Sequence, residues 1–162
     1  MAGVQAGQLN HSLALDLFNY QRPMRNLKDG IRSLVKIDFY GNVHKYFRGT
    51  DKEERFANEI RILKALEQRG CEHVPRYIES DESELHLVTS NCGSPAPDIS
   101  QKKTDKIFQD LEEKYGVRHD DPFSRNITYD PNEGRFCVID FELATLLDDP
   151  GKSDETASDP EP

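Results

Sequence analysis

The sequence has few cysteines, no long apolar run and a deficit of positive charge, and each shortage excludes a class of protein. Its three cysteines, Cys71, Cys92 and Cys137, lie far apart without Cys-x-x-Cys spacing or a nearby histidine pair, which argues against a disulfide framework or a zinc site. No stretch approaches the roughly 20 apolar residues of a membrane-spanning helix, and the N-terminus lacks a secretory signal. We therefore expect a soluble, cytoplasmic protein that does not associate with membranes.

The net charge is −9 at pH 7, because 30 acidic residues outnumber 21 lysines and arginines. Proteins that bind nucleic acids usually present basic surfaces, so we expect no nucleic-acid partner. Much of the acidic excess lies in residues 148–162, which hold six acidic residues and one lysine. This segment has too few apolar residues to form a core, and we expect a disordered acidic tail.

The 162 residues are enough for one folded domain. We expect an N-terminal extension over residues 1–29, with one or two helical turns, and a folded domain over residues 30–147. Alternating apolar residues predict a hairpin over residues 34–47 that turns at Gly41. Helical spacing of apolar residues predicts helices over residues 50–70 and 104–115. Short apolar runs predict further strands at 73–78 and 85–88, and two runs around a turn at residues 130–134 predict a second hairpin over residues 127–139.

The start of the first helix has its own signal. Thr50 and Glu53 have the spacing of a capping box, so we expect the Thr50 side chain to cap the helix.

Five polar residues on separate elements form a candidate site: Lys45, Glu59, Asp121, Asn126 and Asp140. Lys45 lies on a predicted strand, and Glu59 lies beside the apolar stripe of the first helix. Asp121 and Asn126 share the loop after the second helix, and Asp140 directly follows a strand. Each residue taken alone has an ordinary structural interpretation as a surface ion pair, a turn residue or a cap. Their order and spacing together are more informative.

Together with its neighbours, this series resembles the signature motifs of the protein kinase superfamily. Val43-His44-Lys45 resembles the strand with the nucleotide-binding lysine, and residues 56–60 resemble the αC helix around its glutamate. Residues 85–88 resemble the strand that leads into the hinge. Residues 119–126 resemble the catalytic loop, and Asp140-Phe141-Glu142 resembles the metal-binding Asp-Phe-Gly.

The resemblance covers roughly residues 31–147 and implies an α+β, protein kinase-like fold. It predicts a small antiparallel N-terminal sheet with an αC-type helix. It also predicts a truncated, mainly helical C-terminal lobe that carries the catalytic hairpin.

The resemblance also implies a role for each matched residue, because kinases act mainly by positioning and charge neutralisation. Lys45 would hold the phosphates of ATP, and Glu59 would fix the Lys45 ammonium. Asp121 would accept the proton of the acceptor hydroxyl. Asn126 and Asp140 would bind Mg²⁺ or Mn²⁺.

Three further assignments concern the hinge and the loop that resembles the catalytic loop. Thr89, Ser90 and Asn91 occupy the place of the hinge and would bind the nucleotide. Arg125 could approach the transferring phosphoryl group from the catalytic loop, and the alternative is a surface cation. His119 is expected to brace that loop rather than to act as an acid or base.

The sequence departs from the kinase pattern in several places. No Gly-x-Gly-x-x-Gly precedes Lys45, and Asp120 replaces the catalytic-loop arginine. Glu142 replaces the glycine of Asp-Phe-Gly, where it could repel a phosphate, point away or bind metal. Only 20 residues follow Glu142, so we expect no activation segment and a constitutively assembled site.

Three functions are compatible with this pattern. The first is a minimal atypical protein kinase that uses ATP and Mg²⁺ to phosphorylate a Ser/Thr hydroxyl of an unidentified protein substrate. The second is a pseudokinase, a nucleotide-binding or scaffolding module that acts through a partner protein. The third is a small-molecule kinase or slow ATPase. The short C-terminal region could also leave helix faces for a second copy of the chain to cover in a homodimer.

Overall fold

The computed structural model describes residues 23–96 and 98–147, which fold into a mixed arrangement of two α-helices and short antiparallel strands. The elements run in the order β1 (Arg25–Asp29), β2 (Ser33–Ile37), β3 (Val43–Phe47), α1 (Lys52–Gln68), β4 (Tyr77–Asp81), β5 (His86–Thr89), β6 (Ser94–Pro95), α2 (Gln101–Tyr115), β7 (Val117–Arg118), β8 (Ile127–Asp130), β9 (Arg135–Val138) and β10 (Thr145–Leu146). Most of the predicted extension and the whole acidic tail lie outside the described residues. Neither α1 nor α2 has the length and apolar character that crossing a membrane requires.

The first five strands form one antiparallel sheet in the order β1-β2-β3-β5-β4. The predicted β2–β3 hairpin is confirmed, and Gly41 occupies its turn with φ at 86°, a conformation that glycine adopts without strain. The predicted boundary of the N-terminal extension is corrected here, because residues 25–29 form strand β1 and pair with β2. All five residues of β1 are exposed at the sheet edge, so the strand has no alternation of apolar and polar residues to reveal it.

Helix α1 has the predicted apolar face, with Phe56, Leu63 and Leu66 in the core. The predicted capping box is wrong. The helix begins at Lys52, and Asp51 precedes it in a left-handed conformation without a side-chain cap bond. A strand was expected at residues 73–78, but the strand of this region, β4, begins only at Tyr77.

The C-terminal part was predicted to be mainly helical, and this prediction is wrong. Among its described residues it contains one α-helix, α2, a single 3-10 turn at Ser124–Asn126 and the five short strands β6 to β10. Gly116, Pro122, Pro131 and Gly134 interrupt the sequence after α2, and the longest run that they leave in the described chain, residues 135–147, begins with strand β9. The predicted β8–β9 hairpin is confirmed, and β6 adds a third strand beside β8.

A single apolar core joins the five-stranded sheet, both helices and the β8–β9 hairpin. Its members include Phe47 from β3, Leu66 from α1, Leu111 from α2 and Ile127 from β8. Phe141 is fully buried in the same cluster. Because Phe141 follows Asp140 directly, this packing fixes the position of the Asp140 backbone.

Candidate functional site

The candidate site lies in a cleft between the five-stranded sheet and the β8–β9 hairpin. A deep cavity of about 470 Å³ has apolar walls formed by Val35, Val43, Leu87 and Ile139, among others. An outer cavity of about 730 Å³ adjoins it and is lined mostly by charged side chains. The two cavities share the following lining residues: Lys28, Ser33, Arg125, Asn126 and Asp140. They therefore form one continuous cleft with an apolar interior and a charged mouth.

Lys45 lines the deep cavity of this cleft, and three carboxylates surround its ammonium. Its Nζ atom is 2.6 Å from Glu59 Oε2, 2.6 Å from Asp140 Oδ1 and 3.2 Å from Glu142 Oε2. Strand β3 places Lys45 on the cleft face because side chains alternate along a strand and Val43 lines the same cavity. Three of the predicted site residues thus meet, although they come from a strand, a helix and a loop.

Burial and charge have opposite effects on the titration of this cluster. Burial alone would lower the pKa of Lys45, but Glu59, Asp140 and Glu142 outweigh it and raise that pKa, so the ammonium stays protonated. Burial alone would raise the pKa of Asp140, but the Lys45 charge lowers it, so Asp140 stays ionised. The burial of Glu59, against the opposing effect of Lys45, raises the pKa of Glu59 to about 7.

Asp140 also has an unusual backbone. Its φ angle is 69°, in the left-handed region that residues other than glycine seldom adopt. Such a conformation persists only where the surrounding structure fixes it, and it is common at functional sites. Here the buried Phe141 holds one side of Asp140, and Lys45 holds its carboxylate.

Glu142 does not point away from the protein but is buried against helix α1. Its Oε2 atom is 3.1 Å from Nη1 of Arg55, and its Oε1 atom is 3.7 Å from Nη1 of Arg32. Asn58 donates to the backbone carbonyls of Glu142 and Ala144 at 3.2 and 2.9 Å. The sequence analysis missed Arg55 and Asn58, because nothing in a single sequence connects them to a segment more than 80 residues later.

The loop over residues 119–126 is held by hydrogen bonds between its own residues and by one contact with Ile139. Asn126 is buried, and its Nδ2 atom donates to the backbone oxygen and to Oδ2 of Asp121, both at 2.8 Å. His119 Nε2 is 3.0 Å from the Ile139 carbonyl oxygen, and Nδ1 of the same ring accepts the Asp121 N–H at 3.3 Å. His119 therefore braces the loop, as predicted. Burial lowers the pKa of His119, which favours the neutral ring that this pattern requires.

Arg125 lies at the mouth of the cleft, where it lines both cavities. Its guanidinium forms an ion pair with Asp121 and lies over the ring of Phe123. The side chain is 62% exposed, so it retains freedom to move. Both sequence interpretations of Arg125, a phosphoryl contact and a surface cation, remain compatible with this position.

The predicted hinge residues line the deep cavity. Thr89 is buried. The Ser90 N–H donates to the Arg76 carbonyl at 2.9 Å, and the Arg76 N–H donates to the Ser90 hydroxyl oxygen, also at 2.9 Å. Asn91 accepts the Gly93 N–H through its side-chain oxygen. These contacts place the segment along one edge of the apolar interior.

The site offers oxygen ligands of the kind that Mg²⁺ prefers. Asp140 and Asn126 line the same cavities, and Asn126 bonds to Asp121 through its Nδ2 atom. Carboxylate oxygens of Glu59, Asp140 and Glu142 also lie within 4.8 Å of one another. In this cluster, however, the Lys45 ammonium occupies the place of a cation.

No protein-family model matches the chain, and no curated protein is significantly similar to it in sequence.

Proposed function

We propose that the chain is a minimal kinase-like phosphotransferase, which binds ATP with Mg²⁺ in the cleft and transfers the γ-phosphate to a Ser/Thr hydroxyl of a protein. One observation carries the proposal: the five motif residues lie around one cleft. Lys45 pairs with Glu59 and Asp140, and Asp121 is bonded to Asn126 within the same cleft wall. The arrangement agrees with the roles that the kinase resemblance implies.

The two parts of the cleft suit the two ends of a nucleotide. An apolar cavity of about 470 Å³ is within the usual range for small-molecule sites and would hold the base. The segment 89–91 along its edge would present backbone groups to that base. The charged outer cavity would hold the phosphates and the acceptor hydroxyl.

Each charged group then has a chemical task. The Lys45 ammonium, fixed by Glu59, would orient a phosphate oxygen, and Asp140 and Asn126 would hold the metal. A bound Mg²⁺ supplies charge neutralisation on the phosphates. Asp121, oriented by Asn126, would accept the proton of the attacking hydroxyl. Its ion pair with Arg125 must open for this, which would bring Arg125 to the phosphoryl group.

One observation favours the pseudokinase as the second candidate. The proposed catalytic groups already neutralise one another, since Lys45 contacts three carboxylates and Arg125 occupies Asp121. A protein in this state could bind a nucleotide, or a partner protein, without transferring phosphate.

Incubation with γ-labelled ATP, Mg²⁺ and casein as a generic acceptor tests the proposal. The unchanged protein should transfer label, whereas Asp121→Asn and Asp140→Ala should not. Asp110→Asn is the matched control, because Asp110 pairs with Lys106 on the surface of α2, away from the cleft. Equal labelling by all four proteins would exclude catalysis at this cleft. Nucleotide binding without any labelling would favour the pseudokinase.

A further inference from the structure

The turn between β1 and β2 covers the outer cavity, at the place where a phosphate chain would lie. Lys28 at the end of β1, Arg32 in the turn and Ser33 at the start of β2 all line this cavity together with Asp140. The turn is short, because only residues 30–32 separate the two strands.

Part of the backbone of this turn is bonded within the protein. The Gly30 N–H donates to the Ser33 carbonyl at 3.0 Å, and the Gly30 carbonyl accepts from Arg48 Nε at 2.8 Å. The Arg32 carbonyl accepts the Arg48 N–H at 2.9 Å. A glycine-rich loop binds phosphate through several free N–H groups. This turn contains a single glycine, and the N–H of that glycine is already bonded, so the turn differs from a glycine-rich phosphate loop.

The cationic side chains of the cleft differ in how many acidic side chains they contact. Lys45 is surrounded by three carboxylates, and Arg125 pairs with Asp121. Lys28, by contrast, forms no ion pair with any residue of the described chain, and its charge helps to lower the pKa of Asp140. Arg32 has only a 3.7 Å contact with Glu142 and is 63% exposed.

We propose that Lys28, assisted by Arg32, binds the terminal phosphates of the nucleotide, so that side-chain cations replace the backbone cradle. This inference rests on the proposed function, because it assumes that a nucleoside triphosphate enters the cleft. An ammonium suits this role as a mobile point charge that meets phosphate oxygens without fixed geometry. Lys28 would contact the phosphate chain from the sheet side, opposite Asn126 and Arg125.

The test compares ligands that share a base but differ in phosphate. Isothermal titration would measure the affinities of Mg·ATP and adenosine for the unchanged full chain and for Lys28→Gln and Arg32→Gln. The matched control is Lys36→Gln. Lys36 lies on the opposite face of the same sheet, over the ring of Tyr46, whereas Ser33, Val35 and Ile37 face the cleft.

Lys28→Gln should weaken Mg·ATP binding about tenfold, as expected for the loss of one charge-assisted contact. Arg32→Gln should weaken it less, and adenosine affinity should change less than twofold in every variant. Lys36→Gln should bind both ligands like the unchanged protein. If the unchanged protein binds Mg·ATP but Lys28→Gln has the same ratio of ATP to adenosine affinity as Lys36→Gln, the role of Lys28 is wrong and the proposed function is unaffected. If the unchanged protein binds neither ligand, the proposed function fails together with the inference.

Discussion

Arg55 and Glu142 form a buried ion pair with a 3.1 Å contact, although 87 positions separate them in the chain. The pair joins helix α1, which carries Glu59, to the segment that carries Asp140. Glu142 occupies the place of the glycine in the kinase-like motif, and its contact with Lys45 adds a third carboxylate to that ammonium. The pair therefore holds α1 in the position that brings Glu59 to Lys45.

Glu142→Gln should lower the free energy of unfolding by about 3 kcal/mol, because it leaves the buried Arg55 guanidinium without a countercharge. Urea denaturation would measure the loss, with Glu112→Gln on the exposed side of α2 as the control. The double variant Arg55→Met/Glu142→Leu should be more stable than either single variant, since no buried charge is then unpaired. Additive losses in the double variant would contradict the interpretation.

The brace formed by His119 predicts a dependence of stability on pH. Burial lowers the pKa of His119, so on acidification the unfolded chain takes up the proton first. Stability should therefore be complete above about pH 6.5, the ordinary histidine value, and should fall as the pH drops towards the folded-state pKa. Protonation would also place a hydrogen on Nδ1 against the Asp121 N–H.

His119→Asn should remove part of this acid sensitivity in urea denaturation between pH 5 and pH 8. Burial also lowers the pKa of His86, so His86 adds to the loss of stability at low pH. The pH dependence of His86→Asn is therefore measured in the same experiment. If the free energy of unfolding of His119→Asn depends on pH as steeply as that of the unchanged protein, His119 is not the titrating group.

Because three carboxylates surround Lys45, removing the ammonium should reduce stability more than removing the charge of one carboxylate. Lys45→Met should destabilise the fold by about 3 kcal/mol or more, because it leaves carboxylates buried together without their cation. Glu59→Gln should cost less, since Lys45 keeps Asp140 and Glu142. Both should reduce phosphoryl transfer if the proposed function is right. Equal stability losses in denaturation experiments would argue against this charge arrangement.

Gly93 lies two residues after Asn91, with φ at 87°, and packs against the β8–β9 hairpin. A Cβ atom there would collide with the backbone carbonyl of Tyr129, so Gly93→Ala should destabilise the protein. Gly134 is the matched control, with φ at 64° and open space within 4 Å of the point that a Cβ atom would occupy. Gly134→Ala should cost only about 1–2 kcal/mol for its backbone conformation. Thermal unfolding of both variants measures the difference, and similar losses would contradict the close approach.

The sequence predicted what depends on local pattern. The β2–β3 and β8–β9 hairpins have alternating residues around turn formers, and the motif spacing identified the residues that meet at Lys45. Pattern could not reveal β1, whose exposed residues do not alternate, or the left-handed start of α1 at Asp51. It also could not pair Arg55 with Glu142, because that contact depends on the tertiary packing of α1 against the segment after Asp140.

The most direct test of the central claim is a crystal structure of the protein with Mn²⁺ and a non-hydrolysable ATP analogue. The account predicts an anomalous manganese peak at Asp140 and Asn126, the base in the apolar cavity and phosphates between Lys45 and Lys28. A nucleotide or metal bound elsewhere, or an empty cleft at saturating concentrations of both, would contradict it.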